Sequence, residues 1–484
     1  MKIHLSGVCG TAMASLAGLM RELGHEVTGS DQEFYPPMST QLDALGIPIR
    51  SPYAEANVPE DADLVVIGNA LSRGNPEVEA VLDRRQRHTS LPALLAEELL
   101  RPRRSLVIAG THGKTTTASL LAFLLDRAGL DPSFLIGGVP VDFDRSYRLG
   151  RGEHFVIEGD EYDCAFFDKR PKFVHYLPEV AVIGNVEFDH ADIYADLAAV
   201  KTAFLRLLNV IPRRGLLLAG TESPALADLL PRAHCRVETF GLHDGVDWRA
   251  TEVRPAAGGA RFRLQHQGRD LGEFSVPLAG EHNVRNAVAA VAVAAAAGVG
   301  PETARGALET FRGVRRRLEV RGREAGVTVY DDFAHHPTAV EATLRALRAQ
   351  DVGGRLVAVF EPRSYTSRTR RFQEAYADAL ATADRVVVAA AHLPETVAEG
   401  ARISETELVA RVREQGVEAD FVPTVERIVG ALAPSLEAGD RVVILSNGGF
   451  GGIHDRLLGA LAAGRPGEAD SSNMNYGADK PRVI

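Results

Sequence analysis

Residues 105–129 read SLVIAGTHGKTTTASLLAFLLDRAG, and their order decides the fold. Ser105 to Gly110 is a short, β-rich apolar run; from Lys114 onward the apolar residues recur at helical spacing. Between them lies Gly110-Thr-His-Gly-Lys-Thr115. A strand that turns through glycines into a helix brings backbone N–H groups and the positive end of the helix dipole to one point, which suits phosphate. Lys114 is then placed to neutralise β and γ phosphates, and the Thr115 hydroxyl to help hold Mg²⁺. Gly110, Thr111, His112, Gly113 and Thr116 complete this nucleotide cradle. Only Thr111 and His112 separate the two glycines, where the strict phosphate-loop pattern has four residues, so the reading rests on the strand-to-helix context.

Outward from this stretch, the chain of 484 residues is long enough for about three domains of ordinary size. Its 45% hydrophobic and 24% charged residues are those of a folded protein that buries sizeable cores. The net charge of −10 offers no general attraction for nucleic acid or an anionic membrane, so neither is an expected partner. Cys9, Cys164 and Cys235 show no paired zinc or disulfide spacing, and MKIHLSGVCG lacks the pattern of a secretory signal. A cytoplasmic location is expected. The most lipid-like run, Ala287 to Gly300, falls short of the 18 or so residues that a membrane span needs and predicts a small-residue helix packed inside a domain.

Before the phosphate loop, KIHLSGV, TAMASLAGLMRELG, HEVTGSD and DADLVVIGNA alternate strand and helix patterns, which predicts a parallel sheet wrapped by helices. After it come strands at HFVIEGDE and VAVIGNVEF, a helix near 197–208 and the Ala-rich helix after Glu281. VTVYDDF, RLVAVFEP, DRVVVAAA and DRVVILSNGG then make a third series. The expected class is α/β, in three units: residues 1–103, 104–313 and 314–465. Residues 466–484 are polar and irregular and are expected to be a disordered tail.

Two acidic clusters follow strands of the middle unit. Glu158, Asp160, Glu161 and Asp163 close FVIEG; Glu187, Asp189, His190 and Asp192 follow VAVIGNV. Carboxylates so crowded repel one another unless a cation is present, and ligands of open parallel sheets bind at the carboxyl ends of strands. Magnesium is the economical explanation. Lys201 reads as a surface residue.

Taken in order, AGTHGKTTTASL (109–120), NVEFDHADIY (185–194), GEHNVRNAVAA (280–290), the arginines before VTVYDDFAHHPTAV (327–340) and SNGGFGGIH (446–454) resemble the Mur ligase family, ATP-dependent amide-forming enzymes of peptidoglycan metabolism. The resemblance covers about residues 1–460. It implies an N-terminal Rossmann-like domain for the UDP-sugar, a central P-loop ATPase domain and a C-terminal Rossmann-like domain for the amine donor. By resemblance, Gly7, Cys9, Gly10, Thr11 and Asp31, with Asn69, Ser72 and Arg73, bind the sugar nucleotide. Lys114, Glu161, His190 and His335 are the expected catalytic residues, with Thr115, Glu161 and His190 on magnesium. His282, Asn283, Asn286, Arg317 and Asp331 would contact ATP. Of the adjacent His335 and His336, only one is expected at the reacting groups, because neighbouring side chains point different ways. Arg363, Ser364, Ser446, Asn447 and Gly448, with Arg368, are candidates for the amine donor.

VIEGDEYDCAFFDKRPKFVHY, YDDFAHHPTA and FEPRS resemble the branch that joins the tripeptide L-alanyl-γ-D-glutamyl-meso-diaminopimelate to UDP-N-acetylmuramate in peptidoglycan recycling. YTSRTRRF, after Glu361-Pro-Arg-Ser364, is closer to the branch that adds L-alanine, which is the alternative. A P-loop regulator and a nicotinamide dehydrogenase are readings from other classes. The expected assembly is a monomer or a weak homodimer, with UDP-N-acetylmuramate and a murein peptide as small-molecule partners.

Overall fold

A computed structural model describes residues 1–33, 38–350 and 353–464. The expected tail, 466–484, lies outside the described residues.

Three large sheets organise the described residues, beside a two-stranded one of Asp163–Ala165 and Asp168–Pro171. The first is five-stranded and parallel, with Lys2–Ser6 at its centre between Glu26–Ser30 and Leu64–Ile67. The second has ten strands. At its heart Arg104–Ala109 runs parallel between Pro178–Ile183 and His154–Gly159. The third sets Val327–Asp332, Arg441–Leu445 and Leu356–Phe360 side by side in parallel, with Glu319–Glu324 antiparallel on the edge. The α/β expectation with parallel sheets holds. The antiparallel run Trp248–Ala256, Gly259–His266 and Arg269–Val276 was not read from the sequence. Its exposed faces carry arginines and acids, which hide the apolar alternation that marks a half-buried strand.

The Lys114–Arg127 helix begins directly after Gly113, whose φ of 82° needs a residue without a Cβ. Thr115 through Leu125 are all buried, so this helix is wrapped on nearly every side. Its main neighbour is the Glu281–Ala296 helix; of the expected small-residue run, Ala287 to Gly300, Ala287 to Ala294 are buried, and the helix ends at Ala296, where the chain reaches the surface. Alanine and valine let the two axes approach; each leucine opposite that is fully buried contributes about 1.5–3 kcal/mol. This packing fixes the phosphate loop on a rigid base. Gly18 of the first helix, Thr11–Glu22, sits where a Cβ would meet the Tyr147 hydroxyl at 2.1 Å, and Ser15 Oγ lies 2.8 Å from Ser146 Oγ. The first unit is therefore seated tightly on the second. No helix among the described residues is long and apolar enough to cross a membrane.

Candidate active site

A cleft of about 1840 Å³ opens at the carboxyl ends of the central strands, walled by all three units. Thr11 and Gln41 line it from the first unit, residues 111–117 from the phosphate loop, and Arg315–Arg317, Asp332–His336 and Asn447 from the third.

Lys114 Nζ donates to the carbonyls of Gly110 (2.8 Å) and Thr111 (3.2 Å) and to both oxygens of Glu161 (2.8 and 3.0 Å). Glu161 is 2% exposed, and its Oε1 also meets His190 Nε2 at 2.9 Å. Burial by itself would raise the Glu161 carboxyl, but Lys114 and His190 hold it below the ordinary carboxylate range. Burial likewise pulls down on Lys114 and His190, and Glu161 outweighs it, so both bases sit above their usual values. The result is a buried Lys114–Glu161–His190 triad beside the loop.

Of the residues expected on magnesium, Thr115 is bonded to Glu158, and Glu161 to Lys114 and His190. Thr115 Oγ1 donates to Glu158 Oε1 at 2.9 Å, and the Gly137 N–H holds the other Glu158 oxygen at 2.7 Å. Glu161 instead belongs to the Lys114–His190 triad. Glu158 is the last side chain before Gly159 on its strand; the sequence placed it in the acidic cluster but could not say which acid faces the threonine. The hydroxyl of Thr115 and the carboxylate of Glu158 are hard oxygen donors that suit Mg²⁺, with the His190 imidazole, held on Glu161, a nitrogen donor in the same cleft; Gly138 leaves the threonine room, since a Cβ there would lie 2.7 Å from Thr115 Cγ2.

Two loop residues expected to bind nucleotide are otherwise engaged. The His112 N–H donates to Asn185 Oδ1 (2.8 Å) and the Thr111 N–H to the Asn185 carbonyl (3.0 Å). Thr111 Oγ1 accepts from the Glu187 N–H at 2.9 Å. The donors left for phosphate are the first-turn amides of Lys114, Thr115 and Thr116, which an α-helix leaves without intrahelical partners. Gly113 is needed twice over: a Cβ would lie 2.4 Å from Asn286 Oδ1, which packs under the turn. Asn286 in turn donates to Asn283, whose own amide holds the Ala279 carbonyl. His282 lines the cleft, pushed down to about 4 by burial and by Arg285 and Arg317, so it is neutral.

From the third unit, Arg317 Nη2 crosses to Thr115 Oγ1 at 3.3 Å, with its guanidinium over the Phe333 ring at 5.0 Å. Asp331, expected beside the nucleotide, is a correction. Along a strand successive side chains alternate faces, and Asp331 points away, 2% exposed, against His454 (3.3 Å), Arg316 (3.4 Å) and Arg321 (3.7 Å). Asp332 takes the cleft face. His335 donates Nδ1–H to the Phe333 carbonyl, which leaves Nε2 as an acceptor in the cleft, and burial pushes it down to about 4. His336 turns instead to the Phe188 carbonyl. Ser446 is buried, with Oγ donated to Glu361 Oε2 at 2.5 Å, so its side chain is not offered to a ligand; Arg316 pins the adjoining carbonyls of Ser446 and Gly448. Arg363 packs where a Gly448 Cβ would fall, and Ser364 bonds Ser367; neither lines the cleft, whereas Asn447 does.

In the first unit, Gly7 has φ 84° and Gly10 opens the helix. The Asp31 carboxylate accepts from the Cys9 N–H and the Tyr53 hydroxyl, both at 2.8 Å. Arg73 is exposed and paired with Glu79, and Asn69 and Ser72 are exposed nearby. None of these three lines the cleft. Lys201 pairs with Asp228 at 2.5 Å, on the surface as expected.

Comparisons with known proteins agree with this architecture. Residues 2–102 match the model for "Mur ligase family, catalytic domain", 108–294 that for "Mur ligase middle domain" and 316–448 that for "Mur ligase, glutamate ligase domain". The chain is 44% identical over 466 residues to the UDP-N-acetylmuramate–L-alanyl-gamma-D-glutamyl-meso-2,6-diaminoheptandioate ligase of Escherichia coli (strain K12), covering 96% of this chain and 98% of that one. It is 37% identical to the UDP-N-acetylmuramate–L-alanine ligase of Paracidovorax citrulli, covering 96% and 97%. A murein peptide ligase from Psychrobacter arcticus has a similar solved structure, with TM-score 0.71 at 39% identity over 96% of this chain and 99% of that one. Near-complete coverage at such identity, over three matched domains and a shared cleft, means that the chain belongs to the Mur ligase family.

Proposed function

We propose that the protein is an ATP-dependent ligase that joins L-alanyl-γ-D-glutamyl-meso-diaminopimelate to the muramic acid carboxylate of UDP-N-acetylmuramate. The observation that carries this reading is the cleft where phosphate loop, carboxylate–histidine cluster and arginine-bearing third unit meet, in a chain 44% identical over 96% of its length to a relative of that name. Such a cleft exceeds the several hundred cubic ångströms usual for one ligand, and the reaction brings three reactants together.

A carboxylate is a poor electrophile, so ATP first converts it to an acyl phosphate, and the peptide's α-amine then displaces phosphate to give the amide. The difficulty of the first step is bringing two anions together. Lys114 stays protonated, anchored by Glu161, and with the first-turn amides offers fixed positive charge where negative charge develops on transfer. Arg317 adds a guanidinium from the third unit, on the opposite wall. Thr115, Glu158 and His190 would hold Mg²⁺, which when bound screens the same charge. For the second step, a free α-amine has a pKa near about 8, so roughly a tenth is already neutral at pH 7 and little base assistance is required. His335, neutral with Nε2 free, is placed to accept a proton from the amine. The first unit holds the UDP portion by the Gly7–Thr11 turn.

The test is direct. Purified protein is incubated with ATP, UDP-N-acetylmuramate and either the tripeptide or L-alanine, and the products are weighed by mass spectrometry. The tripeptide adduct is expected. An L-alanine adduct in its place would move the protein to the other branch, and no ATP consumption with either amine would end the ligase reading.

A further inference from the structure

Three side chains outside the Thr115–Glu158–His190 set converge where the phosphate loop meets the third unit. His112 comes from the loop, Glu187 from the segment after Pro178–Ile183, and His336 from the start of the Pro337–Arg348 helix. His112 Nε2 lies 3.3 Å and His336 Nδ1 3.9 Å from the same oxygen, Glu187 Oε2, and the imidazole centroids are 4.8 Å apart. One nitrogen from each histidine and one carboxylate oxygen all fall within 4.8 Å of one another. Ligands on a tetrahedral zinc, with bonds of about 2.1 Å, are separated by about 3.4 Å, so small side-chain rotations suffice to close the set.

The surroundings are those of a metal shell. His336 Nε2 faces the Phe188 carbonyl at 3.2 Å, which keeps the proton on that nitrogen and leaves Nδ1 an acceptor; it takes a long bond of 3.4 Å from the Thr338 N–H, which a metal ion would displace. Thr338 Oγ1 donates to Glu187 Oε2 at 2.8 Å and orients the carboxylate. Two imidazoles and a carboxylate, with a fourth position open to the cleft, form a donor set of nitrogen and oxygen that favours zinc-class ions over magnesium, which prefers oxygen ligands.

We propose that His112, Glu187 and His336 form a transition-metal site, of the zinc class, that staples the third unit to the phosphate loop. Because one ligand belongs to the third unit and two to the central one, the ion binds only while the units are apposed. Occupancy would therefore hold the cleft shut and slow exchange of nucleotide and product, making the enzyme sensitive to zinc at fixed magnesium. The binding claim does not depend on the ligase reading.

The test uses the full chain, stripped with a chelator and without substrates. Zn²⁺ is titrated against a chromophoric chelator in the presence of excess Mg²⁺, and Co²⁺ is added separately to read its visible ligand-field bands. One ion per chain is expected. His112→Asn, Glu187→Gln and His336→Asn should each weaken it by at least about 100-fold, the upper end of what even an outer-shell loss costs. His336→Asn keeps a good helix N-cap residue, so the fold is preserved; Zn²⁺ should raise the melting temperature of the parent but not of this variant. His190→Asn should retain the ion. If the stripped parent takes up no Zn²⁺, or if the ion survives the three substitutions, or if it is lost with His190→Asn, the site is refuted.

Discussion

Lys114→Met separates what the lysine does for catalysis from what it does for the fold. In the structure, Glu161 is buried and its charge is balanced by Lys114 at 2.8 Å and His190 at 2.9 Å. Removing one partner of a buried ion pair costs about 3–5 kcal/mol. Because His190 remains, the lower end applies, about 3 kcal/mol, or a fall in melting temperature of roughly 6–12 °C for a unit of this size. The pH dependence has a defined sign. In the parent the Glu161 carboxyl lies below its unfolded value, so its contribution is present above the ordinary glutamate pKa of about 4.3 and is lost as pH falls through the lower folded value. In Lys114→Met the carboxyl moves upward, and the penalty disappears once it protonates. The stability gap between parent and variant should therefore be widest at pH 7 and narrow below about pH 5. The double variant Lys114→Met/Glu161→Gln should recover most of the lost stability while amide formation stays abolished. Thermal melts at pH 7 and 4.5, paired with the mass-resolved ligation assay, measure both. A double variant no more stable than the single one would refute the ion-pair argument, and near-normal turnover in Lys114→Met would refute the phosphate assignment.

Other outcomes follow from the same geometry. Gly113→Ala forces a Cβ to within 2.4 Å of Asn286 Oδ1 at a φ of 82°, a strain of about 1–3 kcal/mol; ATP binding measured by calorimetry should fall at least tenfold. Glu158→Gln should raise the Mg²⁺ concentration for half-maximal turnover more than tenfold, and more than Asp163→Asn does. His282, held near 4, is neutral when folded and charges more readily when unfolded, so stability is full above about pH 6.5 and is lost on acidification. His282→Gln should flatten that loss by up to about 1.4 kcal/mol per pH unit between pH 6.5 and 4. Arg317→Ala, which removes the guanidinium that reaches Thr115 from the third unit, should lower kcat more than it raises the KM for ATP, since its charge sits where phosphoryl transfer develops negative charge.

The residues whose function is set by their own chain neighbours were legible in advance. Gly113, Lys114 and Thr115 are one turn of strand, loop and helix, and local geometry places their amides, ammonium and hydroxyl wherever that turn sits. The Ala287–Ala294 segment was legible for a similar reason, because composition sets how closely a helix can pack. Asp331 and Asp332 were not resolved: two adjacent acids on a strand face opposite ways, and only the packing of Ile453–Ala463 on one side and the cleft on the other decides between them. His112 shows the same limit, since its N–H is taken by Asn185, 73 positions away.

The chemistry on offer was written in short stretches of chain: a phosphate loop, two carboxylate clusters, a row of arginines and three α/β units in family order. It was legible there because each motif closes over a few residues. Which acid meets which base was set by long-range packing. Glu158 rather than Glu161 reaches Thr115, Glu161 bridges Lys114 and His190, and Arg317 and His336 arrive from a separate unit. Those pairings form across tens to hundreds of residues, where strand order and the seating of one unit on another set the distances, and electrostatic partnership falls away within a few ångströms.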